Sequence, residues 1–263
     1  MWPIFTEIAG HEIGTFGVIV ALGLLLSLWI ARRLGKRDGL DPRKVNDVGL
    51  LIIVAAMVGS RLLAAAVALL SGAPFGWEEL RTAGAIHGAL LGAILTLIVL
   101  SRALRLPLDR LLDAYVPAAA FGQAVGRLGC FAAGCCFGAS TDLSWAVTFT
   151  EPDALRLGGV PLGVPVHPVQ LYDATLHFLM SGALIVLHRR KVLVGRLFAP
   201  WCILEGCVRL LVEGARGDVG RGVWLGIEWL STGRVTSLLM IVVGLLVLYR
   251  SHAKDASLHS SAV

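Results

Sequence analysis

The chain has 263 residues, of which 56% are hydrophobic and only 16% charged, with a mean hydropathy of +0.78. A soluble domain carries about 25% charged residues, so the composition excludes one and indicates an integral membrane protein. The net charge of +5 does not point to nucleic acid, because the basic residues cluster beside apolar runs, as in the inner loops of membrane proteins.

A spanning helix needs about 20 mostly apolar residues. Seven such segments are predicted, with connections too short for a separate soluble domain. Residues 1–15, with Trp2, Pro3 and Phe5, are too short to span and are expected to form an amphipathic interfacial arm. Glu7 and Glu12 precede the first apolar run and the basic cluster follows it, the reverse of a cleavable signal peptide. The first span, residues 16–31, stops at Arg32, Arg33, Lys36 and Arg37, a loop expected on the cytoplasmic side. The second, residues 46–70, contains Gly59-Ser60-Arg61 and leads to residues 71–82, where Glu78 and Glu79 outweigh Arg81. The third, residues 84–100, opens with Ile86-His87-Gly88 and ends among Arg102, Arg105 and Arg110.

The fourth span, residues 111–130, brings Arg127 to its outer end, and residues 139–166 form an outer loop in which Trp145 to Phe149 alternate as a short strand does. The fifth begins at His167-Pro168 and exits at Arg189, Arg190 and Lys191. The sixth, residues 197–212, carries Glu205 and Arg209 and ends at Glu213 and Arg216; the seventh covers residues 232–249. Residues 251–263 read as a disordered cytoplasmic tail. The fold expected is therefore an all-α integral membrane protein: one domain of seven transmembrane helices, amino terminus outside and carboxyl terminus cytoplasmic, with a small outer loop region. No internal repeat is visible, which weighs against an inverted-repeat transporter.

The stretch FGQAVGRLGCFAAGCCFG, Phe121 to Gly138, is the most informative. If it is helical throughout, Gly126, Cys130, Gly134 and Gly138 share one small-residue stripe suited to helix packing. Arg127 is different, since a guanidinium at membrane depth is costly and marks a functional site. The topology puts His87, Arg127, His167, Arg209, Glu213 and Arg216 near the outer ends of five segments, with Arg61 deeper as a floor. Taken singly, His87 reads as a helix-start histidine, His167 as a cap, Glu213 as a counter-ion, and Tyr172 and Asp173 as interface anchors. Together the arginines suit an anionic headgroup, because the planar guanidinium donates bidentate hydrogen bonds to phosphate. Arg209 and Glu213 are one turn apart and are expected to pair. Of five cysteines, Cys135 and Cys136 are adjacent and Cys130, Cys202 and Cys207 lie elsewhere. None has zinc-ribbon or C-x-x-C spacing, so no metal site is predicted.

In order and spacing, these motifs resemble the prolipoprotein diacylglyceryl transferases. The resemblance rests on Gly59-Ser60-Arg61, Ile86-His87-Gly88, Asp113, Gly126-Arg127-Leu128-Gly129 with Phe131 and Gly138, His167-Pro168 with Gln170-Leu171-Tyr172-Asp173, and the late pattern of Arg209, Glu213, Arg216, Gly217 and Asp218. It implies transfer of a diacylglyceryl group from phosphatidylglycerol to the lipobox cysteine of a preprolipoprotein signal peptide, at the outer face of the bacterial inner membrane. Glycerol phosphate would leave, and no metal or organic cofactor is implied. Arg127 and Arg209 would hold the phosphate, and His87 would assist the thiol or organise the site. Substrate contacts are expected at Arg61, Gly88, Gly126, Gly129, Gly138, His167, Gln170, Tyr172, Glu213 and Arg216. The chain departs from the family pattern at Cys130, Cys135 and Glu205, which usually hold asparagine, glutamate and tyrosine. Two other readings of the same residues are a non-enzymatic anionic-lipid binding or transport protein, and a membrane thiol-disulfide protein using Cys135 and Cys136.

Overall fold

A computed structural model describes residues 2–8, 10–72, 76, 86–216 and 231–260, and among these the chain forms eight helices and four short strands. Glu78, Glu79 and Arg81 of the second connection and Gly217-Asp218 of the late motif lie outside the described residues. The chain divides into two compact units, Leu28–Ala114, and Met1–Ser27 together with Tyr115–Val263.

The amino-terminal arm is an antiparallel hairpin, β1 (Ile4–Ile8) and β2 (His11–Gly14), with Glu7 opposite Glu12 and Gly10 turning at φ +77°. Its β-branched residues, Ile4, Thr6, Ile8 and Ile13, favour the pleated conformation. Thr15 then opens α1 (Thr15–Arg37).

In the unit Leu28–Ala114, α2 (Pro42–Ser71) begins at an N-cap where Asp41 Oδ1 accepts the Arg43 N–H at 2.8 Å, and Pro42 occupies the first turn. It ends at Gly72, whose φ is +69°. Against it lies α3 (Ile86–Ala103). A Cβ on Gly59 would run into the Gly88 carbonyl, one on Gly88 into the Gly59 carbonyl, and one on Gly92 into that of Ala55. Small residues four apart on both helices thus let the two backbones touch, the packing that substitutes for a hydrophobic driving force in lipid. Arg61, two residues from Gly59, and His87, next to Gly88, both flank this crossing. Asp113 is 2% exposed, while Arg110 lies 4.0 Å from Asp109.

In the second unit the part of α4 (Leu108–Ala133) from Tyr115 onward meets the first half of α1 through Gly122 against Ser27, Gly23 against Val125 and Gly129 against Phe16. The helix stops where the sequence stripe continues. Gly134 has φ +75°, its N–H reaches the Phe131 carbonyl at 3.3 Å, and the Cys135 N–H reaches that of Cys130 at 3.1 Å. This is a Schellman cap, so Gly134 and Gly138 are not part of a helical stripe with Gly126 and Cys130. The segment that follows carries β3 (Val147–Thr148), α5 (Pro152–Gly158) and β4 (Pro165–Val166) around a core of Phe149, Ala154, Val160 and Val166. Only two residues of the alternating stretch from Trp145 to Phe149 pair as a strand.

Next come α6 (Val169–Arg189), α7 (Phe198–Glu213) and α8 (Thr232–Ser260). Ser181 Oγ on α6 donates to the Pro117 carbonyl on α4 at 2.8 Å. Gly206 of α7 admits Ile241 and the Ser237 carbonyl, and Gly244 of α8 admits Cys202 and the Ala199 carbonyl. Helix α8 continues past residue 249, where the last apolar run ends.

Among the described residues four helices are long and apolar enough to cross a membrane: α1, α2, α6 and residues 232–251 of α8; α3 is a shorter apolar helix. Of the other two, α4 has the length but carries Gln123 and Arg127, and α7, with 16 residues, is shorter and carries Glu205, Arg209 and Glu213. Replacing Gly88 by valine is expected to destabilise the unit Leu28–Ala114 by about 1–3 kcal/mol through overpacking. Thermal unfolding in detergent checks this against Gly182→Ala, since a Cβ on Gly182 meets nothing within 4 Å and its substitution leaves stability unchanged or raised.

Candidate active site

Within the second unit, three helices each present polar side chains one turn apart: Gln123 and Arg127 on α4, Asp173 and His177 on α6, and Glu205, Arg209 and Glu213 on α7. Residues at i and i+4 share a helix face, so the three faces supply a continuous polar ladder. Arg127 Nε lies 2.6 Å from Asp173 Oδ2, and Asp173 is only 2% exposed. The other Asp173 oxygen lies 2.8 Å from His177 Nδ1. His177 Nε2 in turn lies 3.1 Å from Glu205 Oε2, whose second oxygen accepts from Gln123 Nε2 at 3.2 Å. His177 Nδ1 also lies 2.8 Å from the Asp173 backbone carbonyl; an imidazole donates from both nitrogens only as the imidazolium, the form in which His177 would balance the two carboxylates.

Arg209 Nη2 lies 2.9 Å from Glu213 Oε2, as the one-turn spacing predicts, with Glu213 2% exposed. Ser231 Oγ donates to the other Glu213 oxygen at 2.8 Å, and a Cβ on Gly233 would press on the same carboxylate. Glu213 is thus a packed counter-ion. The Nη1 of Arg209 is buried with no hydrogen-bond partner among the described residues. Arg127 is about one-quarter exposed; Asp173 takes its Nε, and its two terminal nitrogens point to no partner among the described residues. Both guanidiniums therefore combine a fixed carboxylate anchor with spare donors, the arrangement needed to receive an anion.

Other expected contacts divide by role. Gly126 has open space where a side chain would stand, whereas Gly129 is packed on Phe16 and Gly138 on His167 and Val169. Gly138 also bridges Arg216, and its N–H reaches the His167 carbonyl at 3.0 Å. His167 is not the cap of α6, since Pro168 holds that position; its Nδ1 lies 3.5 Å from the Tyr172 hydroxyl, which accepts from Trp145 Nε1 at 2.7 Å. Gln170 is 1% exposed and donates to the Cys135 carbonyl at 2.8 Å, which ties α6 to the end of α4. Arg61, His87 and Gly88 belong to the unit Leu28–Ala114, where His87 is exposed and Arg61 half-buried.

His177 and Gln123 are given no role in the sequence reading, and Asp173 appears there as an interface anchor and as the last residue of a family motif, without a part in the site. The signal was a histidine four residues after an aspartate inside an apolar span, matched by an extra glutamate on another span. A cleft of about 720 Å3 lined by Trp29, Arg32, Arg33, Lys36, Arg37 and Pro42 has basic walls without a carboxylate. It is made of the cluster that follows the first span, and no chemistry is assigned to it.

The sequence model of the family described as prolipoprotein diacylglyceryl transferase matches residues 3–250. The chain belongs to that family. Similar relatives include the phosphatidylglycerol–prolipoprotein diacylglyceryl transferase of Clostridium tetani, 30% identical over 94% of this chain and 96% of the relative. Those of Finegoldia magna, 29% identical over 92% of both chains, and Synechococcus elongatus, 29% identical over 82% of this chain and 77% of the relative, carry the same name. In this diacylglyceryl transferase family member the Glu205 departure is absorbed by His177 and Gln123 rather than set against Arg209.

Removing one partner of a buried ion pair leaves the other uncompensated and costs about 3–5 kcal/mol. Asp173→Ala is expected to lose that much stability, and Arg127→Ala/Asp173→Ala together less than the sum of the two single losses. Chemical unfolding of the four proteins of this double-mutant cycle is the check.

Proposed function

We propose that this protein transfers the diacylglyceryl group of phosphatidylglycerol to the lipobox cysteine thiol of a preprolipoprotein, at the outer face of the bacterial inner membrane. The reading includes one membrane-embedded domain of seven spans, with the amino terminus outside and the carboxyl terminus in the cytoplasm. The apolar helices and the basic clusters at Arg32 to Arg37, Arg102 to Arg110 and Arg189 to Lys191 support it. The observation that carries the function, beside family membership, is the pair of anchored guanidiniums at Arg127 and Arg209 with donors to spare.

In the reaction the thiolate sulfur attacks the diacylglyceryl carbon bonded to the phosphate oxygen. The sulfur–carbon bond forms as the carbon–oxygen bond breaks, and its electron pair stays on glycerol phosphate, which departs. A phosphodiester with one negative charge thereby becomes a monoester with more. Arg127 and Arg209 favour the transition state because charge grows on the oxygens they hold, and donors fixed in advance by Asp173 and Glu213 need not reorganise. His87 is proposed to take the thiol proton. His177 is unsuited to that task, as both its nitrogens are occupied. Gly126 leaves room for the headgroup beside Arg127, and Arg61, Gly88, His167, Tyr172 and Arg216 are proposed to line the route of lipid and peptide.

Purified protein in phosphatidylglycerol bilayers is expected to add a diacylglyceryl mass to a lipobox peptide, read by mass spectrometry. Arg127→Ala and Arg209→Ala are expected to lower the rate at least about 10²–10³-fold, as removal of one transition-state donor does, while the protein stays helical. Transfer at the wild-type rate in either variant would sink the assignment; lipid retained without any turnover by wild type would favour a binding protein.

A further inference from the structure

The sulfur atoms of Cys130, Cys135 and Cys136 lie within 4.8 Å of one another, and all three cysteines are free and partly buried. Their sequence spacing matches no metal motif because backbone turns, not a helix or knuckle, bring them together. The Schellman cap at Gly134 sets Cys130 opposite Cys135, the two positions where this motif normally brings a pair of apolar side chains into contact. Cys136 then adopts φ +59°, a left-handed conformation that is unfavourable for a non-glycine residue. Strain of this kind persists where the surroundings over-determine it and clusters at ligand sites. Here the surroundings are explicit: buried Gln170 holds the Cys135 carbonyl, and Gly138 is bonded to His167 and bridged to Arg216.

A metal–sulfur distance of about 2.3 Å puts the three sulfurs of a trigonal site about 4 Å apart, a spacing this cluster reaches with little movement. Thiolates select soft cations. Two positive side chains stand close by: Arg127 is one turn before Cys130 on α4, and Arg216 is bridged to the residue two after Cys136. Adjacent cysteines make only a strained disulfide, which leaves metal ligation as the chemistry that uses all three sulfurs at once.

We propose that Cys130, Cys135 and Cys136 form a three-sulfur site for one thiophilic metal ion of the Zn2+, Cd2+ and Cu+ class, beside Arg127. On binding Cd2+ the three thiols release three protons and the complex carries one net negative charge. That charge competes with a phosphate for the field of Arg127, so an occupied site slows lipid transfer. This consequence rests on the proposed function; the binding does not.

The probe is Cd2+ added to the full-length, reduced protein in detergent, read by thiolate-to-metal charge-transfer absorption and proton release. One equivalent is expected to bind, Cys202→Ser and Cys207→Ser are expected to bind as wild type does, and each of Cys130→Ser, Cys135→Ser and Cys136→Ser is expected to weaken binding about 100-fold or more. Circular dichroism shows whether a variant has kept its helices. Absence of a saturable Cd2+ signal in the reduced wild type overturns the proposal, as does a signal that survives replacement of all three cysteines in a folded protein, or a disulfide among them that resists reduction. Binding without inhibition of transfer would reject only the coupling to Arg127, and failure of lipid transfer would leave the Cd2+ result standing.

Discussion

A guanidinium held among packed helices must be neutralised, and much of the second unit follows from how Arg127 meets that demand. Its carboxylate, Asp173, is nearly fully buried, so Asp173 in turn needs donors on its other oxygen. His177 supplies one and reaches Glu205 with its other nitrogen. Each step moves the requirement to the next helix, until α4, α6 and α7 are joined through Arg127, Asp173, His177 and Glu205, while Arg209 and Glu213 pair separately along α7. In a low-dielectric setting such a network is costly if any member is missing. Its completeness is what allows two arginines to be fixed in place while parts of both stay free to bind.

The apolar packing has a different logic. Helices in lipid gain nothing from burying more hydrocarbon against one another, so close backbone approach takes over. Gly59 against Gly88, Gly206 against the Ser237 carbonyl and Gly244 against the Ala199 carbonyl mark such approaches, while Gly23 and Gly122 admit the side chains of Val125 and Ser27. Gly126 breaks the rule on α4, because no neighbour among the described residues fills the space it leaves.

Membrane class, the family and the Arg209–Glu213 pair were legible in the sequence, because apolar run length, motif order and one-turn spacing each have a direct physical meaning. The His177 bridge was not. A lone histidine in an apolar span has no signature until the helices beside it are known, and the partner of Glu205 lies on α6, out of reach of any spacing argument along α7. The glycine stripe misled for a related reason: a period of four residues says which side chains would align in a helix, but Gly134 ends that helix by adopting a positive φ. The three-cysteine cluster was hidden for the same cause, as its geometry belongs to the cap and not to the spacing.

The Arg127–Asp173 contact also bears on how the molecule is made. The two residues are 46 positions apart (173 − 127), and at about 5–20 residues per second a ribosome needs roughly 2–9 s to add the second after the first. For that interval α4 carries its charge with no carboxylate to meet it, at a cost of about 2.5–3.5 kcal/mol if it sits at the bilayer centre. Arg127 lies six residues before the last residue of α4, Ala133, less than two turns from that end, and in a spanning helix a long side chain so placed can reach the headgroup layer. The nascent helix can wait with Arg127 at that end, and arrival of α6 then gives the arginine its carboxylate while leaving it about one-quarter exposed.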